Sequence, residues 1–358
     1  MNSLSSEQIN QIIQGVEPPS ELWRQKARTH LDTLTKPLGS LGRLEDLAAQ
    51  VVAIRQDGFG APIKKGAYIF AADHGISAEG VSAYPREVTH QMVLNYLSHG
   101  AAINVLADLH HAELCIVDVG VDADFDDLPG LHRRKIARGT QNMLHEPAMT
   151  DGQLAQALEI GAEMASAAVA AGVNMIAIGE MGIGNTTCAS AITCALTGAT
   201  AFTATGRGTG VGSVAHSRKI AVVEAVCRKH FDAVSSPSPL DILQCVGGLE
   251  IAAMTGMILT AVKHKLVILI DGFICTAAAA LAVSIAPDVC GYLIVGHQSE
   301  EPGHKLLLDR LKLQPVLSLN MRLGEATGAV LAMPIIESAM ALYNQMATFS
   351  SAGVSVAS

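Results

Sequence analysis

Six short apolar runs punctuate the chain, each closing on a polar or acidic residue with glycine usually close by. They are AYIFAADHG (67–75), LCIVDVG (114–120), NMIAIGEMG (174–182), LVILIDG (266–272), YLIVGHQS (292–299) and PVLSLNMRLGE (315–325). Their apolar positions are continuous rather than alternating, the pattern of buried strands covered on both faces. Helix-like stretches lie between them at 153–171, 187–196, 239–260 and 273–285. Strand and helix in alternation predict an α/β chain, a Rossmann-like parallel six-stranded sheet with helices on both faces. The ends differ. Polar helical stretches at 6–15 and 19–34 precede TKPLGSLGRLEDLAAQ, a Pro/Gly turn that opens another helix, and AVLAMPIIESAMALYNQM near the other end is helical too. With no strand pattern at either end, 1–60 and 332–358 are expected to form a small helical domain beside a large α/β catalytic domain at 61–331. The tail SSAGVSVAS is expected to fray.

In a parallel sheet ligands sit beyond the carboxyl ends of the strands, where these runs place Asp73, His74, Asp118, Glu180, Asp271, Ser299 and Glu325. Aromatic residues make up only 4% of the chain, while Ala and Gly abound, which favours tight helix-on-sheet packing. A formal charge of −9 with no basic cluster argues against a nucleic-acid partner. The seven cysteines are scattered without a C-x-x-C pair, as in a reducing cytoplasm, and the N-terminus shows no basic and apolar leader pattern. A cytoplasmic protein is expected. The apolar stretch 266–286 is long enough to span a bilayer, but Asp271-Gly272 divides it. A carboxylate at mid-depth is costly in lipid, so strand, turn and helix are expected there and no membrane span.

Candidate chemistry starts at IGEMGIGNTTCAS (178–190), with three glycines in six residues. It is neither a P-loop, which needs G-x-x-x-x-G-K-[ST], nor the dinucleotide fingerprint G-x-G-x-x-G. What remains is a strand, a glycine turn with Gly182 and Gly184, and a helix opening at Asn185. Free N–H groups and the helix dipole favour an anion there; the alternative is a structural turn with Asn185 as its cap. TGRGTGVGS (205–213) precedes a helix, so that Arg207 and Lys219 bring positive charge toward the same anion, or else the segment is a flexible connection. The histidines of DHG and HQSEEPGH lack metal-ligand spacing, and no metal is expected. Glu325 stands at a strand end near Met321 and Leu323, where half-burial should raise its pKa and suit it as a general base. The alternative there is a carboxylate serving a helix end.

TKPLGSLGRLE, ADHGISAEGVSAYP, GEMGIGNTT, GRGTG, the stretch 269–281, GHQSEEPGH and RLGEATGA together resemble one family closely, in order from Thr35 to Pro334. That family is nicotinate-nucleotide–dimethylbenzimidazole phosphoribosyltransferase. The resemblance implies transfer of 5-phosphoribosyl from nicotinate mononucleotide to 5,6-dimethylbenzimidazole, giving α-ribazole 5′-phosphate and nicotinate, a step toward the lower ligand of cobalamin. It implies no cofactor, and a homodimer. Carried onto this chain, the family's general base falls on Glu325, and Glu180, Gly182, Lys219, Gly272 and Ser299 line the nucleotide pocket. Glu180 and Asp271 are candidates to stabilise positive charge on the ribose. Ser82, Tyr84 and Gln91, with Leu323, are assigned to the benzimidazole. The chain departs from the family where GEG becomes Gly324-Glu325-Ala326, and where Val211-Gly212-Ser213 replaces acidic residues. A methyl at position 326 narrows the backbone's freedom, since Gly alone adopts positive φ cheaply. Two rival readings stay open on sequence: a dinucleotide-dependent oxidoreductase, against which the missing fingerprint counts, and a corrinoid-pathway protein that binds the nucleotide without turning it over.

Overall fold

The computed structural model describes residues 3–57, 63–233 and 236–355. All six apolar runs form strands: β1 (Lys65–Ala72), β2 (Ala112–Gly120), β4 (Met175–Met181), β5 (Val267–Ile270), β6 (Leu293–Ser299) and β7 (Pro315–Met321). The sheet has seven strands rather than six, because β3 (Leu131–Arg133) adds a short edge beside β2. Three residues, two of them exposed and charged or polar, carry no apolar run by which to find it. The order is β3-β2-β1-β4-β5-β6-β7 and every pairing is parallel. The chain thus starts in the middle, builds outward to β3, and then crosses to build the other half. That reversal between β1 and β4 is where open α/β sheets form a ligand crevice.

The helices follow in chain order. They are α1 (Ser3–Ile13), α2 (Glu21–Thr33), α3 (Arg43–Arg55), α4 (Val88–Leu97), α5 (Ala102–Leu109), α6 (Asp151–Ala170), α7 (Asn185–Thr197) and α8 (Ala201–Ala204). After these come α9 (Ser213–Phe231), α10 (Pro239–Val246), α11 (Leu249–Lys263), α12 (Phe273–Ile285), α13 (Pro302–Leu311), α14 (Thr327–Gln345) and α15 (Phe349–Ala352). The expected helix over 239–260 is two helices, parted at Gly247-Gly248, where Gly247 turns extended (φ −81°, ψ −159°). The segment 266–286 is the expected strand, turn and helix, and no helix among the described residues is long and apolar enough to cross a membrane.

Helices α12 and α14 both pack on β4, β5 and β6 with at most marginal contact between them, as helices on opposite faces of the sheet do. α11 and α6 lie with α12, while α3 and α5 lie with α14. Covered on both sides, β1 and β5 are buried throughout, whereas β7, at the sheet edge, leaves Ser318, Leu319 and Asn320 exposed. Of the terminal helices, α2 packs on α3, and Thr35 N–H donates to Ala347 O beyond the end of α14. α1 lies elsewhere, against α6 and α11. Buried side chains of α1, α2 and α3 are continuous with the core around the sheet. The expected domain boundary at 60/61, and residues 356–358 of the tail, lie outside the described residues.

Candidate active site

A cleft of about 510 Å³ opens beyond the carboxyl ends of β4, β5, β6 and β7, walled also by α4, the start of α7 and the loop at Gly208-Thr209. Its acidic side is built from two carboxyls. Glu180, near the end of β4, is 5% exposed and accepts a short hydrogen bond from the Asn185 amide. Burial, then the charges of Glu250, Asp271 and Glu325, raise it to about 8. Glu325, 6% exposed, sits in the turn from β7 to α14. Burial raises it to about 7, the Tyr96 hydroxyl works against that, and Asp271 adds to it. The ordinary Glu value is 4.5, so a base of this kind is poised for work near neutral pH.

The polar side gathers around α7. Gly184 precedes the helix with φ 104°, a conformation open to glycine alone at little cost, and so turns the chain to present the N-terminus of α7 to the cleft. Lys219 of α9 is 1% exposed, and its ammonium donates to Thr186 Oγ1 at 2.7 Å. Burial lowers Lys219 to about 8, opposed by Glu301 and Cys188. A Cβ on Gly208 would lie 2.8 Å from Lys219 Nζ, so the glycine lets the loop pass directly over the ammonium. Glu301 accepts from Gly208 N at 2.7 Å, and Arg322 donates to Gly208 O at 3.2 Å, which fixes the loop from both directions. Cation, hydroxyl and helix N-terminus converge here as an anion site would require.

The structure brings Glu325, Glu180, Gly182, Asn185, Gly272, Ser299, Tyr84 and Leu323 to the cleft wall. Lys219 lies behind Thr186 and Gly208. Gly184 packs on His74 beneath the turn, and the exposed Arg207 donates to Val211 O beside a neighbouring cleft. Asp271 is fully buried, and its Oδ1 accepts from the N–H groups of Gly328 and Ala329 at 2.7 and 3.0 Å, so it caps α14 and is not among the residues at the wall. Ser82 is bonded to Thr209 Oγ1 at 3.1 Å, stitching its loop to the wall, while Gln91 on α4 is exposed and not among the residues at the cleft wall. Of the other strand-end carboxylates, Asp73 accepts from Asp122 N and Asp118 from Gly120 and Val121, so both hold loops.

Residues given no substrate role from sequence also line the site: Thr186, Gly208, Thr209, Glu301, Arg322, Val88 and Met92 of α4, and His297, weighed there only as a metal ligand. Val88 and Met92 are spaced i, i+4 and so share one helix face. His297 stands at the wall as a side chain within 3.5 Å of Asp271, while His304 accepts from Ser299 N and bonds Thr276. Among the described residues no group of three or more His, Cys, Asp or Glu side chains is arranged to hold a metal.

The likeness to known proteins runs along nearly the whole chain. A phosphoribosyltransferase family model matches residues 16–354. The nicotinate-nucleotide–dimethylbenzimidazole phosphoribosyltransferase of Geobacter metallireducens is 46% identical over 349 residues, covering 97% of this chain and 98% of that protein. That of Chloroflexus aggregans is 47% identical over 350 residues, with the same coverage. The chain belongs to this phosphoribosyltransferase family. Among solved structures, the enzyme of the same name from Thermus thermophilus matches with TM-score 0.88 at 42% identity, covering 94% of this chain and 100% of that one. A structure of CobT from the same organism matches with TM-score 0.89 at 44% identity, with the same coverage.

In this phosphoribosyltransferase the turn bearing Glu325 is unusual in its backbone. Gly324, Glu325 and Ala326 have φ of 85°, 62° and 62°, three left-handed residues in a row, two of which carry side chains. Such residues cost of order 1 kcal/mol each and persist only where the surroundings hold them. Here Asp271 clamps the first turn of α14, and Thr327 Oγ1 donates to Gly324 O at 2.7 Å. The departure at Ala326 is accommodated at Gly179 of β4, which has no side chain to meet the Ala326 methyl.

Proposed function

We propose that this enzyme transfers the 5-phosphoribosyl group of nicotinate mononucleotide to 5,6-dimethylbenzimidazole, with Glu325 as general base and inversion at C1′ from β to α. The observation that carries this reading is a carboxyl raised to about 7 at the wall of a cleft whose opposite chemistry is cationic. Nicotinate leaves from a pyridinium and departs without needing a proton. The incoming benzimidazole attacks through one ring nitrogen and must shed a proton from the other. A carboxylate within reach takes it, an effect worth about 10² to 10⁴ in rate.

Lys219, Thr186 and the N-terminus of α7 anchor the phosphate, which does not react, so its binding energy is available to position the sugar. Glu180, predominantly protonated at pH 7 in the free enzyme, gives up its proton as a cationic pyridinium enters, because the incoming charge favours the carboxylate. It then stabilises positive charge on the ribose. Val88, Met92, Tyr84 and Leu323 supply the apolar surface for a flat ring. Tyr84 and Leu323 are 55% and 54% exposed at the cleft, which supports a homodimer in which a second copy covers them.

The test is direct. Enzyme, nicotinate mononucleotide and dimethylbenzimidazole are mixed, and mass spectrometry follows the ribotide and free nicotinate, with the anomer assigned by NMR. Binding without nicotinate release contradicts the reading, and a β-configured product contradicts inversion.

A further inference from the structure

Helix α4 continues its cleft-facing row past the wall. Val88 and Met92 line the cleft, and Tyr96, the next residue at i+4, is 1% exposed. The helix is held at both ends. Ile183 N–H donates to Thr89 Oγ1 at 3.1 Å, and the Asn104 amide donates to Tyr96 O at 2.9 Å. The phenol therefore has little freedom to move away from what it faces.

What it faces is the acidic side of the site. The Tyr96 hydroxyl is buried and has no aligned hydrogen-bond partner among the described residues. Burial, then the charges of Glu325 and Glu180, hold its pKa well above the ordinary tyrosine value, so it is an O–H donor at every working pH. Among the described residues the other charged or titratable groups at this cleft are Tyr84 before α4, Glu180 from β4, His297 from β6, Glu301 before α13 and Arg322 after β7, and Asp271 after β5 adds its charge. Asn185, the nearby amide, is engaged by Glu180. A buried phenol stripped of water needs an acceptor, and a carboxylate that must stay in one rotamer needs a donor.

We propose that Tyr96 is a positioning residue for phosphoribosyl transfer: its phenol donates to the Glu325 carboxylate and fixes the direction in which the base points when substrate fills the cleft. This rests on the reading of Glu325 as the base. Losing the donor weakens the carboxylate form, so the acid limb of the rate profile moves to higher pH. A purely structural role would leave that limb where it is.

The experiment records kcat against pH, with both substrates saturating, for the wild type, Tyr96→Phe, Asn104→Ala, Glu325→Gln, and protein carrying 3-fluorotyrosine at position 96. Tyr96→Phe is expected to lower kcat about 10-fold at pH 7 and move the acid limb upward, with KM for nicotinate mononucleotide within about 2-fold. The fluorinated phenol is a stronger donor of nearly the same shape, so its limb is expected to move downward; it decides the matter if Tyr96→Phe does not fold. Asn104→Ala loosens the end of α4 without touching the hydroxyl, and its limb is expected to stay with the wild type. An unmoved limb in both Tyr96 variants overturns the proposal, as does an equal shift in Asn104→Ala. The base reading fails separately, if Glu325→Gln keeps its activity.

Discussion

The ammonium of Lys219 donates to the hydroxyl of Thr186 at 2.7 Å, joining α9 to the first turn of α7 at the polar side of the cleft. Two helices from separate parts of the chain thus meet where a phosphate would be held. Lys219→Ala is expected to raise KM for nicotinate mononucleotide about 10- to 100-fold, the range for a lost hydrogen bond to a charged group, with a smaller effect on kcat. In the wild type the same KM should climb as pH passes about 8, where the buried amine loses its charge. A KM that is unchanged in Lys219→Ala removes the residue from the phosphate site.

Gly179 lies under the base turn. A methyl there would stand 2.4 Å from Ala326 N and 2.7 Å from the Ala326 Cβ. Gly179→Ala must therefore shift the turn, at about 1–3 kcal/mol of stability, and is expected to lower kcat by more than about 10-fold because small misplacements of a catalytic group are costly. Adding Ala326→Gly removes the clash between methyls but not that with the backbone, so rescue should be partial. Full activity in Gly179→Ala, measured under saturating substrate, would mean that the turn has slack the close contact denies.

Much of this arrangement is legible in the sequence, and the part that is not has physical reasons. Buried parallel strands read as unbroken apolar runs, so six strands and the carboxylates at their ends stand out, Glu180 and Glu325 among them. β3 is a three-residue edge without such a run. The break between α10 and α11 hides in apolar sequence and shows only as Gly247-Gly248. At the site, Val88 and Met92 look like ordinary core residues until Thr89 docks α4 on Ile183. Asp271 has the same sequence setting as Glu180, yet its carboxylate faces the N-terminus of α14 instead of the cleft, a choice made by packing.

Glu180 and Glu325 also set how stability depends on pH. In the fold they titrate near 8 and 7 rather than at 4.5, so between 4.5 and those values the folded protein keeps protons that the unfolded chain has released. Stability of the free enzyme therefore falls as pH rises through that window, by up to about 1.4 kcal/mol per pH unit for each group. Glu180→Gln keeps an acceptor for Asn185 without the charge. Its unfolding free energy should match the wild type at pH 5 and exceed it at pH 8.5, by an amount on the order of 3 kcal/mol. Parallel curves for the two proteins, followed by denaturant unfolding across that range, would show that Glu180 ionises normally.

Met92 and Gln91 are neighbours in sequence, but only Met92 is at the cleft wall, while Gln91 is exposed. Met92→Ala should raise KM for dimethylbenzimidazole about 10-fold, as expected for apolar contact worth about 1–3 kcal/mol. Gln91→Ala should stay within about 2-fold, as for an exposed side chain. Steady-state kinetics with the base as varied substrate would distinguish them, and the reverse ranking would mean that the ring is held by Gln91 rather than by Met92.

Removal of the incoming base's proton by Glu325 is tested by single-turnover rates of Glu325→Gln and the wild type across pH. With enzyme in excess over nicotinate mononucleotide and dimethylbenzimidazole saturating, the variant should bind nicotinate mononucleotide as the wild type does, form ribotide about 10² to 10⁴ more slowly at pH 7.5, and lack the acid limb of the wild-type pH profile. A rate within about threefold of the wild type, with that limb intact, would show that another group takes the proton.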